Sequence, residues 1–272
     1  MRFSGILWSV LGTCLLAANL QANSILVGSS GGGPVQEFST SGSLLGSFGS
    51  SSSTAAAFDG MGDVFTIEAG DTSSTISEYN STNQLITSFL FNGGISNSFG
   101  FPGFLDSIVY GGNSTFWVAG FNGIVYHINS SGGLLSSFDS GNANTAVTTD
   151  GTSLYTTSGF ANGVILQWTP TGTQLNSIFT PLPDTLGIGY DSTTHSLFVG
   201  GSDVVSQLDL SGNLLNSLSI AGINSAIDVG TLGSSGPPPP PPTVPEPGTW
   251  ALCFGGLGLL GVWRVRRAAQ IK

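Results

Sequence analysis

An all-β, five-bladed β-propeller built from four-stranded antiparallel blades is the fold this sequence predicts. Three observations carry the prediction. A pattern of strand, turn and strand recurs five times, an apolar strand precedes each copy, and a strand absent at the start of the series turns up after its end.

The recurring pattern reads EFSTSGSLLGSF from Glu37, EYNSTNQLITSF from Glu78, HINSSGGLLSSF from His127, QWTPTGTQLNSI from Gln167 and QLDLSGNLLNSL from Gln207. Its second position holds Phe38, Tyr79, Ile128, Trp168 and Leu208, spaced 41, 49, 40 and 40 residues apart. Further along stand Gly42, Asn83, Gly132, Gly172 and Gly212. These residue types accept a left-handed backbone, so a hairpin turn is expected there. Next come Leu45, Ile86, Leu135, Leu175 and Leu215, then Phe48, Phe89, Phe138, Ile178 and Leu218. The apolar columns persist while the Ser, Thr and Gly between them change, which separates a structural repeat from low complexity. The columns are expected to fill the space between neighbouring blades, because one blade alone cannot bury its faces.

Each copy is preceded by a strand: ILVG at 25, VFTI at 64, FWVA at 116, LYTT at 154 and LFVG at 197. A still earlier strand occurs in four units, at 55–59, 106–110, 146–150 and 186–190. Its fifth copy, SAIDV at 225–229, lies at the far end. A period near 40 residues with four strands per unit indicates a propeller. Residues 225–229 then supply the innermost strand of the blade made by 25–28, 35–38 and 44–48. Ring closure of this kind removes exposed sheet edges along the chain ends. An open solenoid or a sandwich gives no reason for the displaced strand. Over residues 25–230 the units are similar to NHL and related six-bladed bacterial propellers. The count here is five and that family's basic residues are missing, so the nucleic-acid binding of some members does not carry over.

All five basic residues are Arg2, Arg264, Arg266, Arg267 and Lys272, whereas all 15 acidic residues lie between them. A body without Lys or Arg cannot neutralise phosphates, which excludes nucleic acid as a partner. The opening MRFSGILWSVLGTCLLAANLQANS has Arg2, an apolar run and a small residue at Ala22, the pattern of a signal peptide over 1–22. The two cysteines, Cys14 and Cys253, fall in the two terminal apolar runs, so the body from 23 to 233 relies on no disulfide.

After the body comes a Pro-rich linker, 234–247, then a 16-residue apolar segment, 248–263, and a basic tail, 264–272. The segment is short of the roughly 20 residues a spanning helix takes. Trp250 and Trp263 bracket it as interface anchors, and the arginines beyond suit a cytoplasmic end. Six prolines at about 3.1 Å each make an extended spacer of roughly 19 Å. Pro245-Glu246-Pro247, the apolar segment and Arg264, Arg266 and Arg267, in that order, resemble the PEP-CTERM sorting signal of Gram-negative bacteria. The resemblance implies recognition by a membrane-embedded exosortase during export, and a cell-surface or extracellular destination. Many bearers come from bacteria that make extracellular polysaccharide.

Two loop sets are expected to share one rim: those joining the second and third strands of a blade, and those joining blades. The one large insertion, 90–104, carries Phe91, Phe99, Phe101 and Phe104, and the loop GFNG adds Phe121 and Asn122. Aromatics beside Asn and Gly suit a glycan or peptide partner, and loops on a rigid scaffold are the usual binding elements. The same rings could instead fold down over the core. His127 alternates with core residues and is expected on a solvated face; His195 is expected in a turn. Asp59, Asp150 and Asp191 read as turn formers. Asp59 and Asp63, in DGMGD, offer too few oxygens for calcium, which takes 6–8, although a calcium site there is the one metal the sequence suggests. No cofactor and no catalytic residue is indicated. The function expected is an exported binding or structural module for extracellular polysaccharide or a surface protein. The alternative is a secreted lyase or glycosidase with paired carboxylates at the propeller axis.

Overall fold

The computed structural model describes residues 24–29, 33–59, 62–68, 73–92, 105–141, 144–158, 163–201, 203–220 and 226–231. The chain divides into two units, Met1–Gly236 and Pro237–Lys272, and all described residues fall in the first. The segments expected to be signal peptide, linker, apolar segment and basic tail therefore lie outside the described residues. Among the described residues no helix is long and apolar enough to cross a membrane.

Blade one begins with β1 (Ser24–Ser29), β2 (Val35–Ser39) and β3 (Leu44–Phe48). Blade two is β4 (Ser53–Phe58), β5 (Val64–Glu68), β6 (Ser74–Tyr79) and β7 (Leu85–Phe91). Blade three is β8 (Leu105–Gly112), β9 (Thr115–Gly120), β10 (Ile124–Asn129) and β11 (Leu134–Asp139). Blade four is β12 (Asn144–Thr149), β13 (Leu154–Ser158), β14 (Val164–Trp168) and β15 (Gln174–Phe179). Blade five is β16 (Gly187–Asp191), β17 (Ser196–Gly201), β18 (Val204–Leu208) and β19 (Leu214–Ser219). Strand β20 (Ala226–Thr231) then returns to blade one, where it pairs antiparallel with β1 through Ile25–Thr231, Leu26–Gly230 and Val27–Val229. The sheet order β20-β1-β2-β3 is the predicted closure.

The five innermost strands form the ring: β4 lies beside β8, β8 beside β12, β12 beside β16, β16 beside β20, and β20 beside β4. An inner strand leaves one backbone edge without a sheet partner, and buried amides need one. Neighbouring blades supply it. The Val147 amide donates to Ser107 Oγ at 2.8 Å, and the Tyr190 amide donates to Thr148 Oγ1 at 3.0 Å.

Five separate apolar clusters fill the five seams. The seam between blades two and three is the most aromatic: Phe116 meets Phe65 at 4.6 Å between ring centroids, Tyr110 at 5.5 Å and Phe89 at 6.2 Å. The seam between blades three and four packs Trp117 and Val125 against Val147, Leu154 and Trp168. Blades four and five meet through Tyr155, Ile165, Tyr190 and Leu197, and blades five and one through Phe198, Val205, Ile25 and Phe38. Leu26, Val35 and Phe48 close on Ala56, Phe58 and Val64 between blades one and two.

The turn positions hold as expected. Gly42, Asn83, Gly132, Gly172 and Gly212 all have positive φ, from 58° at Asn83 to 89° at Gly212. A second reason for small residues is tertiary. A Cβ on Gly132 would sit 2.4 Å from the Leu90 carbonyl oxygen of the preceding blade, and one on Gly212 would sit 2.2 Å from that of Phe179.

One expected column is not core. Leu45, Ile86, Leu135, Leu175 and Leu215 are each more than half exposed. The reason is a β-bulge. Leu44 pairs with Phe38 and Gly46 with Glu37, leaving Leu45 as the extra residue; the same shift recurs at Ile86, Leu135, Leu175 and Leu215. An extra residue breaks the alternation of faces, so two successive residues of the outer strand stay outside the seams.

Candidate binding site

The outer strand of one blade leads to the inner strand of the next through a linker that touches the loop between the second and third strands. Ser140 N donates to Gly123 O at 2.9 Å, Thr180 N to Gly163 O at 2.7 Å, and Ile220 N to Asp203 O at 3.1 Å. Both loop sets therefore share one rim. Four linkers are short, 49–52, 140–143, 180–186 and 220–225, whereas 92–104 joins blades two and three. Residues 93–104, with Phe99, Phe101 and Phe104, lie outside the described residues.

Both feet of this insertion are anchored. Phe91 is 1% exposed and packs edge-on against Tyr126 at 5.3 Å, while Leu105 is likewise 1% exposed. Phe91 is thus a core residue and cannot offer its ring to a ligand. It ends β7, where the alternation of the strand turns it into the seam. Asn122 donates from Nδ2 to Tyr126 Oη at 2.8 Å and accepts from the Ile124 amide at 3.1 Å. These bonds fix the β9–β10 turn over the foot of the insertion and leave Phe121 half-buried beside it. Burial raises the Tyr126 pKa, and the bond from Asn122 opposes that shift. The phenol therefore stays neutral and acts as an acceptor and anchor.

Asp106 was not legible as a site residue. Leu105 pairs with Gly120 and Ser107 with Ala119, so Asp106 is the extra residue of an inner-strand bulge at the rim end of blade three. Thr54 and Thr145 occupy the same place in blades two and four. Burial raises Asp106 to a pKa of about 7. The only sequence signal was an acid in a column that is otherwise hydroxyl or apolar. The register gathers the two feet of the insertion, Phe91 and Leu105, with Asp106, Phe121 and Asn122 at one place on the rim.

The other candidates have structural work. His127 is not simply solvated: its ring stacks on Trp117 at 4.1 Å and 8°, Nε2 lies 3.0 Å from Thr115 Oγ1, and burial lowers its pKa. It belongs to a ladder in which the third strand of four blades reaches a hydroxyl at or just before the start of the second strand. Ser24 Oγ donates to Glu37 at 2.6 Å, Gln167 Nε2 to Ser153 Oγ at 3.2 Å, and Gln207 Nε2 to Ser196 Oγ at 2.8 Å. Blade two places Asp63 where the others have a hydroxyl. Burial and then the charges of Asp63 and Asp59 raise the Glu78 pKa, and burial and then Asp59 raise that of Asp63. Asp59 Oδ1 is engaged by the amides of Gly62 and Asp63, both at 3.1 Å. Among the described residues no group of three or more His, Cys, Asp or Glu is placed to hold a metal. Asp150 accepts from the amides of Thr152 and Ser153, and Asp191 from that of Thr193, as turn formers do. His195 sits in its turn at φ 52° with Nδ1 2.8 Å from Tyr190 Oη.

Comparison with known proteins reaches the opposite end of the chain. Residues 243–267 match the PEP-CTERM protein-sorting motif. The chain carries a PEP-CTERM sorting signal. That signal directs export and anchoring in the membrane before processing by an exosortase-type enzyme, which places the protein in the cell envelope or outside it. No curated protein matches the chain. Among solved structures, a protein of unknown function from Bacteroides caccae is similar at a TM-score of 0.48 and 14% identity, over 73% of each chain.

Proposed function

We propose that the exported propeller is a binding module whose rim between blades two and three contacts an extracellular polysaccharide. The observation that carries this reading is the insertion 92–104, held at both ends by buried Phe91 and Leu105 and flanked by Asp106 and the Asn122-braced turn. A rigid scaffold under a long aromatic loop meets two requirements of carbohydrate recognition: flat apolar faces and fixed polar neighbours. The acidic, lysine-free body favours a neutral or cation-bridged glycan over a polyanion, since it has no bases to pair with acidic groups.

Anchoring beside an exosortase-type enzyme and release to the surface would bring this rim to the polymer the cell exports. The test replaces Phe99 and Phe101 with Ala in the full-length protein and measures retention on the producing cell's polysaccharide. Retention is expected to fall by about tenfold, the loss of roughly 1.4 kcal/mol of ring contact. Retention equal to wild type sinks the reading.

A further inference from the structure

Strand direction settles where the chain enters and leaves the ring. An inner strand starts at the rim, after a linker, and ends at a turn on the opposite face. Thus β16 follows the linker 180–186, starts at Gly187 on the rim and ends at Asp191, where the turn to β17 begins. Strand β20 has the same place and direction in blade one. It follows the linker 220–225, whose Ile220 amide donates to the Asp203 carbonyl at the rim, and it ends at Thr231 on the opposite face. Strand β1 runs antiparallel to it, with Ile25 paired to Thr231, so the described chain also begins on that face, at Ser24. Both ends of the ring lie on this turn face, whereas the two feet of the insertion, Phe91 and Leu105, lie at the rim. The sorting signal, residues 243–267, follows the strand that leaves from the turn face.

We infer that the anchored protein turns its turn face to the membrane and its rim away from it, so that the rim stays open to a polymer while the tail is processed. What the rim holds rests on the function proposed above; the orientation rests on strand direction. Charge supports a stand-off from the membrane rather than a contact with it. The turn face carries Asp59, Asp63, Asp150 and Asp191, each in or beside a turn that follows an inner strand. The ring has no Lys or Arg to offset them, so this face does not adhere to anionic headgroups. Six consecutive prolines, 237–242, favour an extended spacer of roughly 19 Å. That length exceeds two screening lengths of about 8 Å each at physiological salt, so the acidic face clears the repulsion.

The two faces therefore serve two partners without competition. An inner strand of five or six residues separates them, at roughly 3.3 Å per residue. A polymer on the rim does not cover the point where the chain departs toward the processing enzyme, and binding does not wait for release.

The test uses the full-length chain with Cys14→Ala and Cys253→Ala, so that no native thiol remains. It is anchored by its tail, from outside, in phosphatidylcholine vesicles that carry an energy acceptor on their headgroups. A donor dye is attached at Thr193→Cys, in the turn after β16, or at Asp184→Cys, in the rim linker before it; both residues are exposed. Energy transfer is expected to be roughly threefold higher from Thr193→Cys, because about 17 Å of strand separates the two levels. A second pair on other blades, Asn113→Cys in the turn between β8 and β9 and Ser51→Cys in the rim linker before β4, should give the same order. Agreement of the two pairs separates a facing preference from a tilt of the ring, and far-UV circular dichroism confirms that each variant is folded. Equal transfer within either pair, or the reverse order, overturns the proposal. Polysaccharide retention on the same vesicles tests the rim separately. Retention lost with the transfer order intact removes the rim as the polymer site and leaves the orientation, whereas the order lost with retention intact does the reverse.

Discussion

Two of the bulges recur between blades, one on the inner strand and one on the outer, and they differ in an instructive way. The inner-strand bulge at the rim holds Thr54 in blade two and Thr145 in blade four but Asp106 in blade three. The outer-strand bulge keeps an apolar residue in every blade. Both devices insert one residue and redirect its side chain. The inner bulge lies at the rim, where one blade can be specialised without disturbing its neighbours; the outer bulge lies on the perimeter, where a feature is useful only if repeated.

The largest expected effect tests how the outer bulge is held in place. Gly132→Ala puts a Cβ against the Leu90 carbonyl at φ 78° and should cost about 2–4 kcal/mol in denaturant unfolding. A cost near zero would show that the turn does not lock blade three onto blade two. The neighbouring outer-bulge substitution Leu135→Ser gives the contrasting small effect, within about 0.5 kcal/mol, since its side chain is already half in water. A large loss there would make the outer bulge a packing element.

Between these lies Asp106→Asn, which probes the inner bulge. The folded carboxyl holds its proton to a pH of about 7, against an ordinary carboxylate value of 3.8, because burial disfavours the charge. The native state therefore binds more protons than the unfolded chain between those values, and wild-type stability falls as pH rises through that window. Below it the group is protonated in both states and costs nothing. The Asn variant should lack this slope and exceed wild type at pH 8 by about 2 kcal/mol, less than the full linkage value because the site retains some solvent. Melting temperatures from pH 4 to 8 decide it; parallel curves for the two proteins would place Asp106 in water.

Much of the fold was legible before any coordinates. The spacing of Phe38, Tyr79, Ile128, Trp168 and Leu208 gave the blade count, and the displaced strand at 225–229 gave the closure. The site was legible only in part. Phe121 and Asn122 fall in the β9–β10 turn, which the repeat locates, but Phe91 looks the same in sequence whether it ends a strand in a seam or begins a loop. Asp106 was invisible because a bulge is a property of pairing between two strands. The column of Leu45 and its counterparts was misread for the same reason: periodicity reports that a residue is apolar, and only the register reports which side it faces.

The amino-acid sequence by itself determined the ring, its turns, its charge and its address, because each of these follows from local spacing or from residue type. Tertiary structure alone decided which apolar residues enter the seams, which carboxylates burial raises in pKa and which loops become neighbours. Those outcomes depend on one-residue shifts between paired strands and on contacts between blades some forty residues apart, and no local pattern encodes either.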